Sequence, residues 1–199
     1  MDVRLVRADD VAPLGAVLAR SFDADPIFRA ILPDDAHRAR ALPLLFAEWL
    51  RRLHLPLGTS YTTDDHAGAA LWSPPDRWQI GVLQQAVMAP RMLRALGGRT
   101  LVALRVLLAV EGPHPHHPPH YYLRVIGCEP SRQGQGVGAA LLEPVLGRCD
   151  AEGVAAYLES SNERNLPFYR RLGFEAIGEV TTHLGPKAVL MWRAGRSKR

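Results

Sequence analysis

Gly134, Gly136 and Gly138 stand at every second position between an apolar, β-branched run that ends at Cys128-Glu129-Pro130 and an amphipathic segment that starts at Val137. The pattern predicts a strand, a tight loop and a helix N-terminus. Such a loop binds anions, because glycine lets a ligand approach the backbone closely, first-turn N–H groups have no intrahelical partner, and the helix dipole favours negative charge. A phosphate-bearing ligand is the natural guest. A Walker A loop would need Gly-Lys-Ser/Thr, and no lysine is present. A Rossmann loop would need G-x-G-x-x-G early in a βαβ unit, whereas the spacing here is G-x-G-x-G, two-thirds of the way along the chain. The spacing that fits is Arg/Gln-x-x-Gly-x-Gly/Ala, filled by Gln133, Gly136 and Gly138.

A second block carries titratable groups. Tyr157-Leu158-Glu159-Ser160-Ser161 reads as a strand, and period-two alternation puts Tyr157 and Glu159 on one face with Leu158 and Ser160 on the other. Glu159 is a candidate general base, with burial between apolar residues as a route to a raised pKa. Binding of a substrate ammonium group, or a plain strand-end position at the surface, are its other readings. Glu129 is the weaker candidate. Asn165-Leu166-Pro167-Phe168-Tyr169 and Leu172-Gly173-Phe174 follow. Asn165 has the residue type of a helix cap, and Pro167 is tolerated in a first turn.

The glycine loop followed by a strand, Asn165, Tyr169 and Gly173-Phe174 resembles the signature of the GNAT superfamily of N-acetyltransferases over residues 121–178. The opening VRLVRADDV, ALWSPP and NLPFYRRLGF look like the puromycin N-acetyltransferase branch. The resemblance implies acetyl-coenzyme A as co-substrate and direct transfer of acetyl to a primary amine, an aminonucleoside-like or xenobiotic small molecule. A protein N-terminal or lysine acetyltransferase, transfer of a longer acyl group, and a non-catalytic acyl-coenzyme A sensor are the rival readings. Backbone amides of Gln133, Gly134, Gln135, Gly136, Val137, Gly138 and Ala139 would then cradle the pyrophosphate, with Arg132 at the rim. Ile126, Gly127 and Cys128 would pair with the pantetheine arm, a backbone N–H there polarising the thioester carbonyl. Gly127 fits either a bulge or a close approach. Asn165 would touch the cofactor arm. Tyr169 matches the tyrosine that protonates the departing thiolate, a role worth about 10² to 10⁴ in rate. Cys128 as a covalent nucleophile is the minority mechanism. Asp23, Asp25, Phe28, Trp49, Trp72 and Trp78 are expected to line the acceptor pocket, since aromatics with an acid suit a flat, cationic amine.

These groups need a scaffold, and the hydrophobic periodicity supplies one. Val3–Arg7 reads as a strand, followed by a helix with Val11, Leu14, Leu18 and Phe22 on one face. A second helical region covers about 34–54, with Pro43 predicting a break or a late start. Residues 58–63 and 67–73 form a hairpin. Residues 77–111 read as one or two helices split near Ala89-Pro90 or Gly97-Gly98. A helix over about 137–150, kinked at Pro144, and strands at 121–128, 154–160, 174–183 and 187–193 complete an α/β GNAT fold. This is a mixed, twisted sheet splayed between two central parallel strands, with helices on both faces, in a single domain over 1–199. The Gly112–His120 stretch GPHPHHPPH, within the 74–120 insertion, reads as a solvated connector rather than a metal site. Arg193, Arg196, Lys198 and Arg199 read as a frayed basic tail.

The 199 residues carry 47% apolar and 22% charged side chains and a net charge of +4, an ordinary globular balance. No basic stripe with interleaved aromatics points to nucleic acid. No signal peptide or 18-residue apolar run points to a membrane. Cys128 and Cys149 do not form a zinc spacing and read as reduced thiols. A cytoplasmic protein, monomeric or homodimeric and without a metal, is expected.

Overall fold

The computed structural model describes residues 1–195. Seven strands form one sheet: β1 (Val3–Leu5), β2 (Tyr61–Thr63), β3 (Gly68–Ser73), β4 (His120–Cys128), β5 (Ala155–Ser160), β6 (Glu175–Thr181) and β7 (Lys187–Arg193). Their order is β1-β2-β3-β4-β5-β7-β6. Only β4 and β5 are parallel, and they pair only from His120–Leu123 against Ala155–Leu158. Beyond that point both strands continue without pairing to each other, so the sheet is splayed where the loop sequence requires a ligand to enter.

Helices cover both faces. On one lie α1 (Val11–Ser21), α2 (Pro26–Ile31), α3 (Asp35–Trp49), α4 (Val82–Leu96) and α5 (Thr100–Glu111), packed on Ala69, Leu71 and Val125. On the other lie α6 (Val137–Glu152) and α7 (Leu166–Arg171), against Ala70, Trp72, Tyr121, Leu123 and Leu158. α6 buries Leu141, Leu142, Val145 and Leu146. At roughly 1.5–3 kcal/mol per fully buried aliphatic side chain, that face fixes the helix behind the glycine loop.

Several boundaries differ from the sequence expectation. Pro43 does not break α3. The helix runs through it and changes to π-helical geometry only at Leu50–His54. The 77–111 segment splits at Gly97-Gly98 and not at Pro90, which lies inside α4. α2 is short and was not foreseen, although Asp25-Pro26 is its signal: the carboxylate accepts from the amides of Ile27 and Phe28, and proline occupies the first turn. Arg193 is not part of a frayed tail. Its guanidinium is buried, donating to both Asp150 carboxylate oxygens and to the Leu172 carbonyl. Arg196, Lys198 and Arg199 lie outside the described residues.

β4 carries a bulge three residues before Gly127. Leu71 pairs with Val125 and Trp72 with Leu123, leaving Arg124 as the extra residue. Gly127 serves close approach instead. A Cβ there would sit 2.8 Å from Ser21 Oγ and 2.9 Å from Leu18 Cδ2, so α1 packs directly on the strand.

Candidate active site

After β4, Glu129 is fixed by its amide to the Ala67 carbonyl and by its carboxylate to Arg20, at 2.6 Å. The Arg20 hydrogen bond lowers the Glu129 pKa and holds its carboxylate in an ion pair. The chain then turns through Pro130–Arg132 into the glycine segment. Gly134 and Gly136 take φ of 77° and 82°, the left-handed region that favours glycine, and nothing lies within 4 Å of the Cβ either would carry. Gly136 caps α6. The first intrahelical bond among these residues is from Ala140 N–H to the Gly136 carbonyl, so the amides of Val137, Gly138 and Ala139 are free toward the loop. Gly138 faces the Phe168 ring, where a Cβ would sit 3.2 Å away. The result is an exposed cradle of amides at the start of a 16-residue helix, suited to a pyrophosphate. Arg132 is tied down at its edge, donating to Asp65 at 2.8 Å and Gln135 at 3.2 Å.

Below the loop, the free edge of β4 meets the splay. Glu129 N–H points toward β3, so alternation directs the amides of Ile126 and Cys128 to the opposite side. The Cys128 N–H donates to Ser21 Oγ at 3.2 Å. Burial pushes the Cys128 thiol up to about 11. Tyr169 is buried on α7 beside Phe168 and Phe174. Burial above all raises its phenol well beyond the ordinary value, with Cys128 and Asp25 adding to the effect, so the hydroxyl is held protonated. Asn165 does not cap α7: it is exposed, and the side chain that caps this turn is that of Asn162, accepting from the Arg164 amide.

Glu159 shares its face of β5 with Tyr157, as alternation requires, but it does not lie among apolar groups. Tyr122 donates to Glu159 Oε2 at 2.7 Å, and His114 Nδ1 lies 3.4 Å from Oε1. Only 5% of the carboxylate side chain is exposed, so it is not a surface strand end. Trp78 stacks on the His114 ring at 3.7 Å. Arg124 spans from the Tyr122 ring to Glu111 and the Trp78 carbonyl. The connector therefore is not a solvated loop along its whole length. His116 and His117 are exposed, while His114 and His120 are buried against the catalytic candidate. Among the described residues, no cluster of His, Cys, Asp or Glu is arranged to hold a metal.

The residues expected to line one aromatic-acidic pocket are dispersed. Trp72 is fully buried on the α6 face of the sheet, and Phe28 and Trp49 are core members of a ring cluster with Phe22 and Phe46. Asp23 is half-exposed and paired with Arg38. Asp25 remains near the splay: it caps α2 and accepts from Ser161 at the end of β5, and burial raises its pKa. A cavity of about 370 Å³ opens beside it, lined by Pro26, Ser160, Ser161, Asn162, Glu163, Arg164, Lys187 and Val189. Trp78 is the one predicted aromatic that reaches Glu159's surroundings. The sequence reading gives no role to His114, His120, Tyr122 or Arg124 and names Tyr157 only as Glu159's face neighbour. The signal for all but His114 is the period-two row of polar side chains, His120-x-Tyr122-x-Arg124 and Tyr157-x-Glu159, inside strands otherwise apolar.

Residues 91–174 match the acetyltransferase (GNAT) family model. N-alpha-acetyltransferase RimI of Mycobacterium tuberculosis is 32% identical over 114 residues, which cover 55% of this chain and 69% of the relative. An uncharacterized N-acetyltransferase of Schizosaccharomyces pombe is 26% identical over 185 residues, 87% of this chain and 74% of that protein. Among solved structures, one described as histone acetyltransferase HPA2 and related acetyltransferase from Corynebacterium glutamicum superposes with a TM-score of 0.74. It is 26% identical and covers 98% of this chain and 97% of its own. The splayed parallel pair, the amide cradle and these relatives agree, and the chain belongs to the GNAT family of acetyltransferases, as an acetyl-coenzyme A-dependent N-acetyltransferase.

Proposed function

We propose that the acceptor is the primary amine of a small molecule, aminonucleoside-like or xenobiotic as in the puromycin N-acetyltransferase branch, and that the protein works in the cytoplasm. The observation that carries this reading is the enclosure of Glu159: a carboxylate 5% exposed beneath the Trp78–His114 stack suits a compact guest rather than an extended chain. Acetyl-coenzyme A supplies the activated acetyl group as a thioester. The amides of Gln133 to Ala139 hold its pyrophosphate and the open edge at Ile126, Gly127 and Cys128 its pantetheine arm, with Asn165 and Arg132 at the rim. Tyr169 gives its hydroxyl proton to the sulfur that leaves, and Glu159 takes the proton from the amine. Trp78 and Asp25 contribute to the acceptor side.

A panel of amines containing puromycin, a simple alkylamine and N-terminal peptides, read by thiol release from acetyl-coenzyme A, tests the reading. Puromycin or another small amine is expected to outperform the peptides in kcat/KM. Tyr169→Phe is expected to lower kcat by about 10² to 10⁴ with little change in KM. The second reading, acetylation of a protein N-terminus, is favoured by the identity with the RimI relative. A peptide that outperforms every small amine would establish it instead. No helix among the described residues is long and apolar enough to cross a membrane.

A further inference from the structure

The hydrogen bonds around Glu159 have one proton too few if the carboxylate is charged and His114 is neutral. His120 Nδ1 lies 2.8 Å from the Pro118 carbonyl, which can only accept, so this nitrogen carries a hydrogen. Burial, opposed by that carbonyl and reinforced by His114, lowers the His120 pKa, so its ring is neutral and Nε2 is an acceptor. His114 Nε2 lies 3.0 Å from His120 Nε2 and must therefore donate. A neutral His114 then presents a bare lone pair from Nδ1 toward Glu159 Oε1, 3.4 Å away. Both atoms are buried, and the one further donor beside the carboxylate, the Tyr157 hydroxyl, supplies no hydrogen to Nδ1. Two acceptors facing each other in a buried site are costly, and a proton between them removes the conflict.

We propose that Glu159 and His114 act as one unit holding a single proton between Oε1 and Nδ1, and that His114 is a positioning residue which makes this unit, rather than the carboxylate alone, the amine's base. The proposal rests on the reading of Glu159 as base. The resting proton settles on Nδ1 as the hydrogen on His114 Nε2 passes to His120 Nε2. The amine's N–H⁺ bond then breaks, its proton is taken by the Glu159 carboxylate, and the electron pair stays on the amine. The two rings thus lead from β5 toward the exposed stretch of the connector at 116–119. The other groups facing the unit are fixed: Tyr122 donates to Oε2, Arg124 is paired with Glu111, the Tyr157 hydroxyl adjoins the carboxylate, and Asp76 acts on His120 from the loop before α4.

Nitrogen-15 NMR of the imidazoles, on the full chain without substrate near neutral pH, tests the proton itself. His114 Nδ1 is expected to report a bound or shared hydrogen in the wild type and a bare nitrogen in Glu159→Gln. A bare Nδ1 in the wild type overturns the proposal, whether or not any amine is ever acetylated. With puromycin as acceptor, His114→Gln is expected to move the pH profile of kcat/KM. A uniform loss at every pH would mean a structural role only and would overturn the positioning role. If puromycin is not turned over at all, the acceptor reading fails while the NMR result stands. If His114→Gln does not fold, His120→Gln is expected to break the Nε2 donor arrangement and shift the His114 tautomer, and an unchanged His114 spectrum would count against the unit.

Discussion

Replacing Cys128 by alanine separates direct acetyl transfer from transfer through an acyl-enzyme. The thiol sits at the end of β4, beside the splay where the acetyl group would lie, so its position alone does not disqualify it. Its electrostatics argue against a covalent role. Burial pushes it from an ordinary 9.0 to about 11, and a thiolate, not a thiol, is the nucleophile. At about pH 8 roughly one thiol in a thousand is then ionised, against roughly one in ten for the ordinary value, a loss of about 100-fold in reactive form. No imidazole hydrogen-bonds it, and its N–H is engaged by Ser21. Cys128→Ala is therefore expected to keep kcat within about threefold, whereas deleting a true covalent nucleophile costs on the order of 10⁶. Alkylation by iodoacetamide, followed at this peptide by mass spectrometry, should run about 100-fold slower than for free cysteine at the same pH. An acetylated Cys128 trapped during turnover, or a folded Cys128→Ala protein without activity, would refute the reasoning.

Two further outcomes follow from the packing and charge around the site. Gly127→Ala would gain about 0.5–1 kcal/mol if the strand were uncrowded, but its methyl would meet Ser21 and Leu18 of α1 at 2.8–2.9 Å. Overpacking wins, so a net destabilisation of about 1–3 kcal/mol is expected, read as a lower urea midpoint. Asp10 receives the Arg4 guanidinium at 2.7 and 2.9 Å, the Arg7 amide and His66. The Arg4 bond above all depresses its pKa below the ordinary carboxylate value. A depressed carboxylate stabilises the fold above its unfolded value of about 3.9 and loses that contribution as pH falls through the folded one. Thermal melts should show Asp10→Asn less stable than wild type above about pH 4, with the gap closing on acidification.

The parts legible in the sequence were those governed by local rules. Gly134 and Gly136 have no neighbours to satisfy, so their spacing alone reports their torsions. Tyr157 and Glu159 alternate as a strand must. What stayed hidden was set by tertiary contact. The α1–α3 crossing at Gly15 packs closely on the Pro43 carbonyl, and the buried Leu42, Leu45 and Phe46 carry α3 through its proline. Prolines and histidines in GPHPHHPPH have the composition of an extended surface connector, yet Trp78 and Glu159, distant in sequence, bury His114. The aromatic residues misled for the same reason: composition says that Phe28, Trp49 and Trp72 are large and apolar, but not which side of the sheet claims them.

The bulge at Arg124 changes the phase of β4. Before it, His120 and Tyr122 share the helical face on which Glu159 is enclosed, and after it Val125 and Gly127 share that same face, packed on α1. One strand thus displays a polar half and a packing half in series on a single surface, which strict alternation would forbid. Pairing the same residues without the bulge would exchange Tyr121 and Leu123 with His120 and Tyr122 across the sheet, emptying the enclosure around Glu159 and driving polar rings into the α6 core. Deleting Arg124 itself would instead restore regular pairing and leave the other side chains on their present faces. The extra residue is a phase shifter, and its own side chain, bonded to Glu111 and the Trp78 carbonyl, fastens the connector to the point where the phase changes.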